Sequence, residues 1–161
     1  MASNYLLDNE RVVRLASWAK LRKDEDDNVV GVLPQAFHLR DDEEYLSVTW
    51  CEYFAGSPDE QARCAVEAVR NSKLKVGSKA RFVFGTVGNI RAAAESRPVA
   101  PKLRFIHEPE EDNVAHTAIR RWPREDHELF DLLAEEAWSN LVDAVAADQL
   151  PTCDCSASER A

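Results

Sequence analysis

A small α+β domain is the fold this chain predicts, and three features of the sequence point to it. The stretch 45–54, YLSVTWCEYF, is rich in aromatic and β-branched residues, which fit a pleated, half-buried surface. The tetrad Ser57-Pro58-Asp59-Glu60 places Ser at an N-cap, Pro at the first helical position and Glu where it can reach back to complete a capping box. Further on, Leu129, Leu132, Leu133, Ala137, Leu141, Val142 and Val145 recur at helical spacing. The expected architecture is a small mixed or antiparallel sheet of about five strands, with two main helices, 57–71 and 124–148, packed on one face.

In chain order, 11–21 (RVVRLASWAKL) is read as a strand in which Val13, Leu15 and Ser17 alternate weakly. The acidic run 23–28 is a turn, since Asp and Asn bond their own backbone. Asp24, Asp26 and Asn28 match the opening of a calcium loop, but Val29 and Gln35 stand where that loop needs Gly and Glu. VVGVLPQAFHLR, interrupted at Gly31 and Pro34, supplies a short extended segment ending near Leu39. After a second acidic turn at 41–44, the strand 45–54 turns Leu46, Val48 and Trp50 to the core and Tyr45, Ser47 and Thr49 to the other side. The helix from 57 to 71 carries Ala62, Ala65, Val66 and Val69 on its apolar stripe.

ARFVFGTVGNI reads as an inner strand through Phe82, Val83 and Phe84, with Gly85 and Gly88 marking a bulge or its end. A helical turn at 90–96 is stopped by Pro98 and Pro101, and 102–107 forms another strand. EPEEDNVAHTAIRRW is read as a polar loop leading into a few apolar residues, and Pro123 and Pro151 bracket the last helix. Residues 1–150 are expected as one domain and 151–161 as a flexible C-terminal tail.

A chain of 161 residues can bury roughly 70% of its unfolded surface, enough for an unaided core. With 29 acidic against 20 basic residues the net charge is −9, which disfavours nucleic acid and anionic lipid. A locally basic stretch containing Arg81, Arg91, Arg97, Lys102, Arg104, Arg120, Arg121 and Arg124 leaves nucleic-acid binding as the weakest option. There is no run of ~20 apolar residues and no secretion signal at 1–10, so a cytoplasmic protein with no membrane contact is expected. The four cysteines, at 51, 64, 153 and 155, are expected as reduced thiols, with Cys51 and Cys64 serving as small buried hydrophobes.

The densest polar constellation is His107, Glu108, Asp112 and His116, where two imidazoles and several carboxylates could share acid and base roles. Arg120, Arg121 and Trp122 follow as candidate contacts for a substrate or partner, with Trp122 expected nearer the surface. No metal site is expected, because the 107–116 spacing matches no standard ligand motif and Cys153-Asp-Cys155 lacks two further ligands. No phosphate-cradling glycine loop is present, so no nucleotide cofactor is expected. The composition therefore favours a small bacterial accessory domain acting through a larger protein partner. The alternative is a small metal-dependent or acid–base hydrolase or nuclease using the His107–His116 loop.

Overall fold

A computed structural model of the chain describes residues 4–161. Its strands are β1 (Arg11–Ala16), β2 (Leu21–Lys23), β3 (Val29–Val32), β4 (Tyr45–Trp50), β5 (Arg81–Thr86), β6 (Arg104–His107), β7 (His116–Arg120) and β8 (Asn140–Val142). Six of them form one antiparallel sheet in the order β6-β7-β4-β1-β5-β8, while β2 and β3 pair as a separate hairpin. The hairpin turn is closed by Asp24, whose carboxylate accepts the Asp26 and Asn28 N–H groups, as the acidic run predicted. Among the described residues no helix is long and apolar enough to cross a membrane.

The mixed α+β class is as predicted, but the helices lie on both faces of the sheet. Val12, Leu46, Val48, Trp50 and Val83 pack with the buried sides of α2 (Val87–Glu95) and α3 (His127–Leu132). On the opposite face Val13, Phe82 and Phe84 pack with α1 (Pro58–Arg70) and α4 (Ala144–Asp148). The reason lies in the inner strands: Val12-Val13 and Phe82-Val83-Phe84 are apolar on consecutive positions, so both faces need cover.

α1 begins as its sequence dictates. The Ser57 hydroxyl accepts the Glu60 N–H, and the Glu60 carboxylate accepts the Ser57 N–H at 3.0 Å. α2 is longer than the turn expected at 90–96, because Thr86 caps it by accepting the Asn89 N–H. The single helix expected at 124–148 is not formed. α3 continues as a π turn at 133–137, stops at Trp138, and the chain then runs straight as β8 before the short α4. β8 pairs with Phe82, Val83 and Phe84, covering the polar backbone edge that β5 would otherwise leave open. Val145, counted in the helical stripe, ends up 68% exposed.

The segment expected as a loop before Pro123 contains β7, which sits between β6 and β4 with His116 through Ile119 buried. The C-terminal residues expected as a loose tail are instead held down. Phe54 and Ala157 form an antiparallel bridge, Ser158 donates its N–H to the Tyr53 carbonyl, and Arg160 pairs with the buried Glu10 at 2.7 Å. A disulfide joins Cys64 on α1 to Cys155. This overturns the expectation of four reduced thiols; the free ones are Cys51, which is buried as expected, and Cys153.

Candidate functional site

The β1–β4 pair is short. Its register holds Val12 to Trp50 and Val13 to Thr49, after which the strands part. Arg14 fills the fork, donating from Nε to the Ala36 carbonyl at 2.9 Å and from Nη1 to the Ser47 carbonyl at 2.7 Å. A cleft of about 460 Å³ opens here, with Arg14, Ser47, Thr49 and His116 among its lining residues. The 3-10 turn at Pro34–Phe37, the end of α1 and the loop before β7 form its walls.

Arg14 is half-buried and lines this cleft, with its stem between β1 and β4. That desolvation pulls its guanidinium down to about 10, with Glu43 opposing the effect and Arg40 adding to it. The group therefore stays charged at neutral pH. Among the described residues no carboxylate lies within ion-pair distance of it, and Nη2 has no hydrogen-bond partner. Lys20, Arg40 and Lys73 add positive charge around the cleft, set against Glu43, Glu110 and Asp112. Glu43 is already bound to the Arg40 backbone N–H at 2.8 Å, and Asp112 to the Lys73 N–H at 2.7 Å.

On the far wall His116 is almost fully buried. Its Nδ1 lies 2.8 Å from the Glu108 carbonyl, which can only accept, so Nδ1 carries a proton. Nε2 then faces the Ser47 hydroxyl at 3.1 Å and the Glu110 carboxylate at 3.3 Å. A neutral ring accepts the Ser47 hydroxyl proton; an imidazolium pairs with Glu110. The loop that presents Glu110 is tied to the sheet by Asn113, which donates to the Thr49 hydroxyl at 2.9 Å.

The residues singled out in the sequence do not converge. His107 pairs with Thr117 across the β6–β7 ladder, which puts it on the opposite sheet face from His116. There its ring packs on Trp50 and Tyr53 and Nε2 sits 2.8 Å from the Val114 carbonyl. The two imidazoles therefore share neither a ligand position nor a proton path. Glu108 holds Arg120 in a two-pronged ion pair at 2.6 and 2.7 Å, a bond that keeps its carboxyl below the usual range, with His116 adding to the effect. Arg120 in turn covers the Tyr45 ring.

Arg121 is exposed with a positive φ of 64°. Trp122, expected near the surface, is 5% exposed and donates its indole N–H to the Phe37 carbonyl, so it belongs to the core. Only His116 and Asp112 of the original set line the cleft. Much of the basic stretch is also spoken for: Arg91 pairs with Asp8, Arg97 with Asp126 and Glu128, and Arg120 with Glu108.

The residues that sequence reasoning missed are Arg14 and Ser47. Arg14 did carry a signal, as the single charge inside the apolar run VVRLA of an inner strand. Ser47 carried none beyond its place on the polar face of β4. No family model matches the chain, and neither a curated protein nor a solved structure matches it.

Proposed function

We propose that the protein is a non-enzymatic accessory domain that recognises an anionic group, carboxylate or phosphate, at Arg14 in the β1–β4 fork. The observation that carries this reading is a charged, desolvated guanidinium with a vacant donor and no carboxylate within ion-pair distance among the described residues. A buried charge is costly unless it is paired, so a site that holds one open toward a cleft is suited to an incoming counter-charge. The group is supplied by a larger protein partner or by a free small molecule. The setting proposed for it is cytoplasmic.

The test titrates inorganic phosphate and succinate against the wild type and Arg14→Met, following thermal stability at constant ionic strength. Saturable stabilisation that the variant loses supports the reading; equal shifts in both proteins, or none, would sink it. A pull-down at moderate salt, with and without phosphate as competitor, separates the two sources. A partner released by phosphate carries the group itself, whereas one that is indifferent to phosphate does not use the cleft.

One observation favours a second reading. Ser47 and His116 stand as a hydroxyl and a base oriented by a backbone carbonyl, the arrangement of a nucleophile with its general base. An acyl or phosphoryl hydrolase would then use Arg14 to hold the substrate's charge. Labelling of Ser47 by a fluorophosphonate probe, lost in His116→Gln, is the expected sign; a wild type that stays unlabelled rules it out.

A further inference from the structure

Three of the four cysteines meet where the C-terminal segment crosses α1. Cys64, buried, is bridged to Cys155, and the free thiol of the half-buried Cys153 lies 3.2 Å from the Cys64 sulfur. All three sulfurs fall within 4.8 Å of one another. The Cys155 N–H also donates to the Cys153 sulfur at 3.4 Å. A thiol in contact with a bridged sulfur is positioned for exchange, because the reaction is attack of a thiolate on one sulfur of a disulfide.

The surrounding bonds make that exchange local. Arg63 grips the Asp148 and Leu150 carbonyls, both at 3.0 Å, ahead of the cysteines. Behind them Ala55 donates to the Ser156 carbonyl at 2.9 Å, and Ser158 Oγ donates to the Glu52 carbonyl at 2.8 Å. With the segment held on both sides, Cys153 and Cys155 are each kept at high effective concentration beside Cys64 whichever of them is bridged. Cys51 takes no part, since burial pushes its thiol well up.

We propose that Cys64, Cys153 and Cys155 form a thiol–disulfide exchange site, in which the bridge to α1 passes between Cys155 and Cys153 and the displaced thiol takes up low-molecular-weight disulfides. In the internal step Cys153 gives its proton to solvent and its thiolate attacks the Cys64 sulfur. The Cys153–Cys64 bond forms, the Cys64–Cys155 bond breaks, and the electron pair leaves on Cys155 as a thiolate, with no net oxidation. In the second step that thiolate attacks a disulfide R–S–S–R, forming Cys155–S–S–R and releasing R–S⁻. The Cys155 sulfur is oxidised as the departing sulfur is reduced.

The full chain, purified without reductant, is incubated with oxidised glutathione at about pH 8, where thiolates are abundant. It is then quenched in acid and its bridges are mapped by peptide mass spectrometry. The expected result is two bridged species, Cys64–Cys155 and Cys64–Cys153, each with glutathione on the remaining cysteine of the Cys153/Cys155 pair. Cys155→Ser should bridge Cys64 to Cys153, and Cys153→Ser should keep the Cys64–Cys155 bridge and take up no glutathione. A wild type with a single Cys64–Cys155 bridge and glutathione confined to Cys153 would overturn the proposal. So would three free thiols, or a folded Cys155→Ser protein that leaves Cys64 unbridged. If that variant does not fold, the wild-type map decides alone.

Discussion

Replacing Arg14 by methionine separates what this side chain does for folding from what it does for binding. Methionine keeps the aliphatic stem and removes the charge. A guanidinium held down at about 10 by burial carries a desolvation cost of about 3 kcal/mol, at ~1.4 kcal/mol per pH unit. Against this stand two charge-assisted bonds, to the Ala36 and Ser47 carbonyls, which contribute about 1.5–3 kcal/mol each. Once the guanidinium is gone both carbonyls lie beside the cleft, where water can replace part of that contribution. The opposing effects nearly cancel, so Arg14→Met should lie within about 1 kcal/mol of the wild type in urea unfolding without added anion. With anion at a hundred times its Kd the wild type should gain about 2.7 kcal/mol and the variant nothing. A loss of about 3–5 kcal/mol in the anion-free variant, the size expected when a buried pair is broken, would refute the reasoning and make Arg14 a structural clamp.

Four more substitutions test the geometry. Ser57→Ala removes the hydroxyl that accepts the Glu60 N–H and should cost about 1 kcal/mol in urea unfolding, read as a lower midpoint with an unchanged slope. Gly85→Ala would put a Cβ 2.5 Å from the Trp138 ring and 2.9 Å from the Ala137 carbonyl, so it should cost about 1–3 kcal/mol or more and shift tryptophan fluorescence. Gly77→Ala meets nothing within 4 Å and serves as the neutral control. Because Arg120 holds the Glu108 carboxyl below its unfolded value, that ion pair stabilises the fold above about pH 4.3 and the contribution is lost as the pH falls further. Glu108→Gln should therefore lower stability at pH 7 and flatten the acid limb of the stability curve; an acid limb identical to the wild type's contradicts the assignment.

Where one signal acts alone, the sequence and the structure agree. The capping box at 57–60 is local chemistry, and α1 starts where those four residues require. The alternation of Leu46, Val48 and Trp50 against Ser47 and Thr49 assigned the faces of β4 correctly, because a two-residue period leaves no other choice. Where two structures satisfy the same pattern, tertiary contacts decide. The apolar residues from Leu129 to Val145 suit a long helix, yet Trp138 stacks on Phe37 at 4.7 Å over the space that Gly85 leaves, and β8 then covers β5. Neither contact is visible in the local spacing.

The candidate site is less legible for the same reason. His107 and His116 are near in sequence, but they occupy strands whose register sends them to opposite faces. Arg14, Ser47 and His116 are far apart in sequence and line one cleft only because β1 parts from β4 while β4 stays paired to β7. The Cys64–Cys155 link, spanning 91 positions, likewise depends on how the C-terminal segment crosses α1.

The claim that the β1–β4 fork is an anion site is tested most directly by an NMR titration of the ¹⁵N-labelled protein with inorganic phosphate and with succinate. The predicted result is a saturable shift of the Arg14 side-chain N–H and of the Ala36, Ser47 and His116 amides, with the same set moving for both anions and staying still in Arg14→Met. Shifts scattered over exposed lysines and arginines that do not saturate, or a response at the fork that survives in the variant, would contradict it.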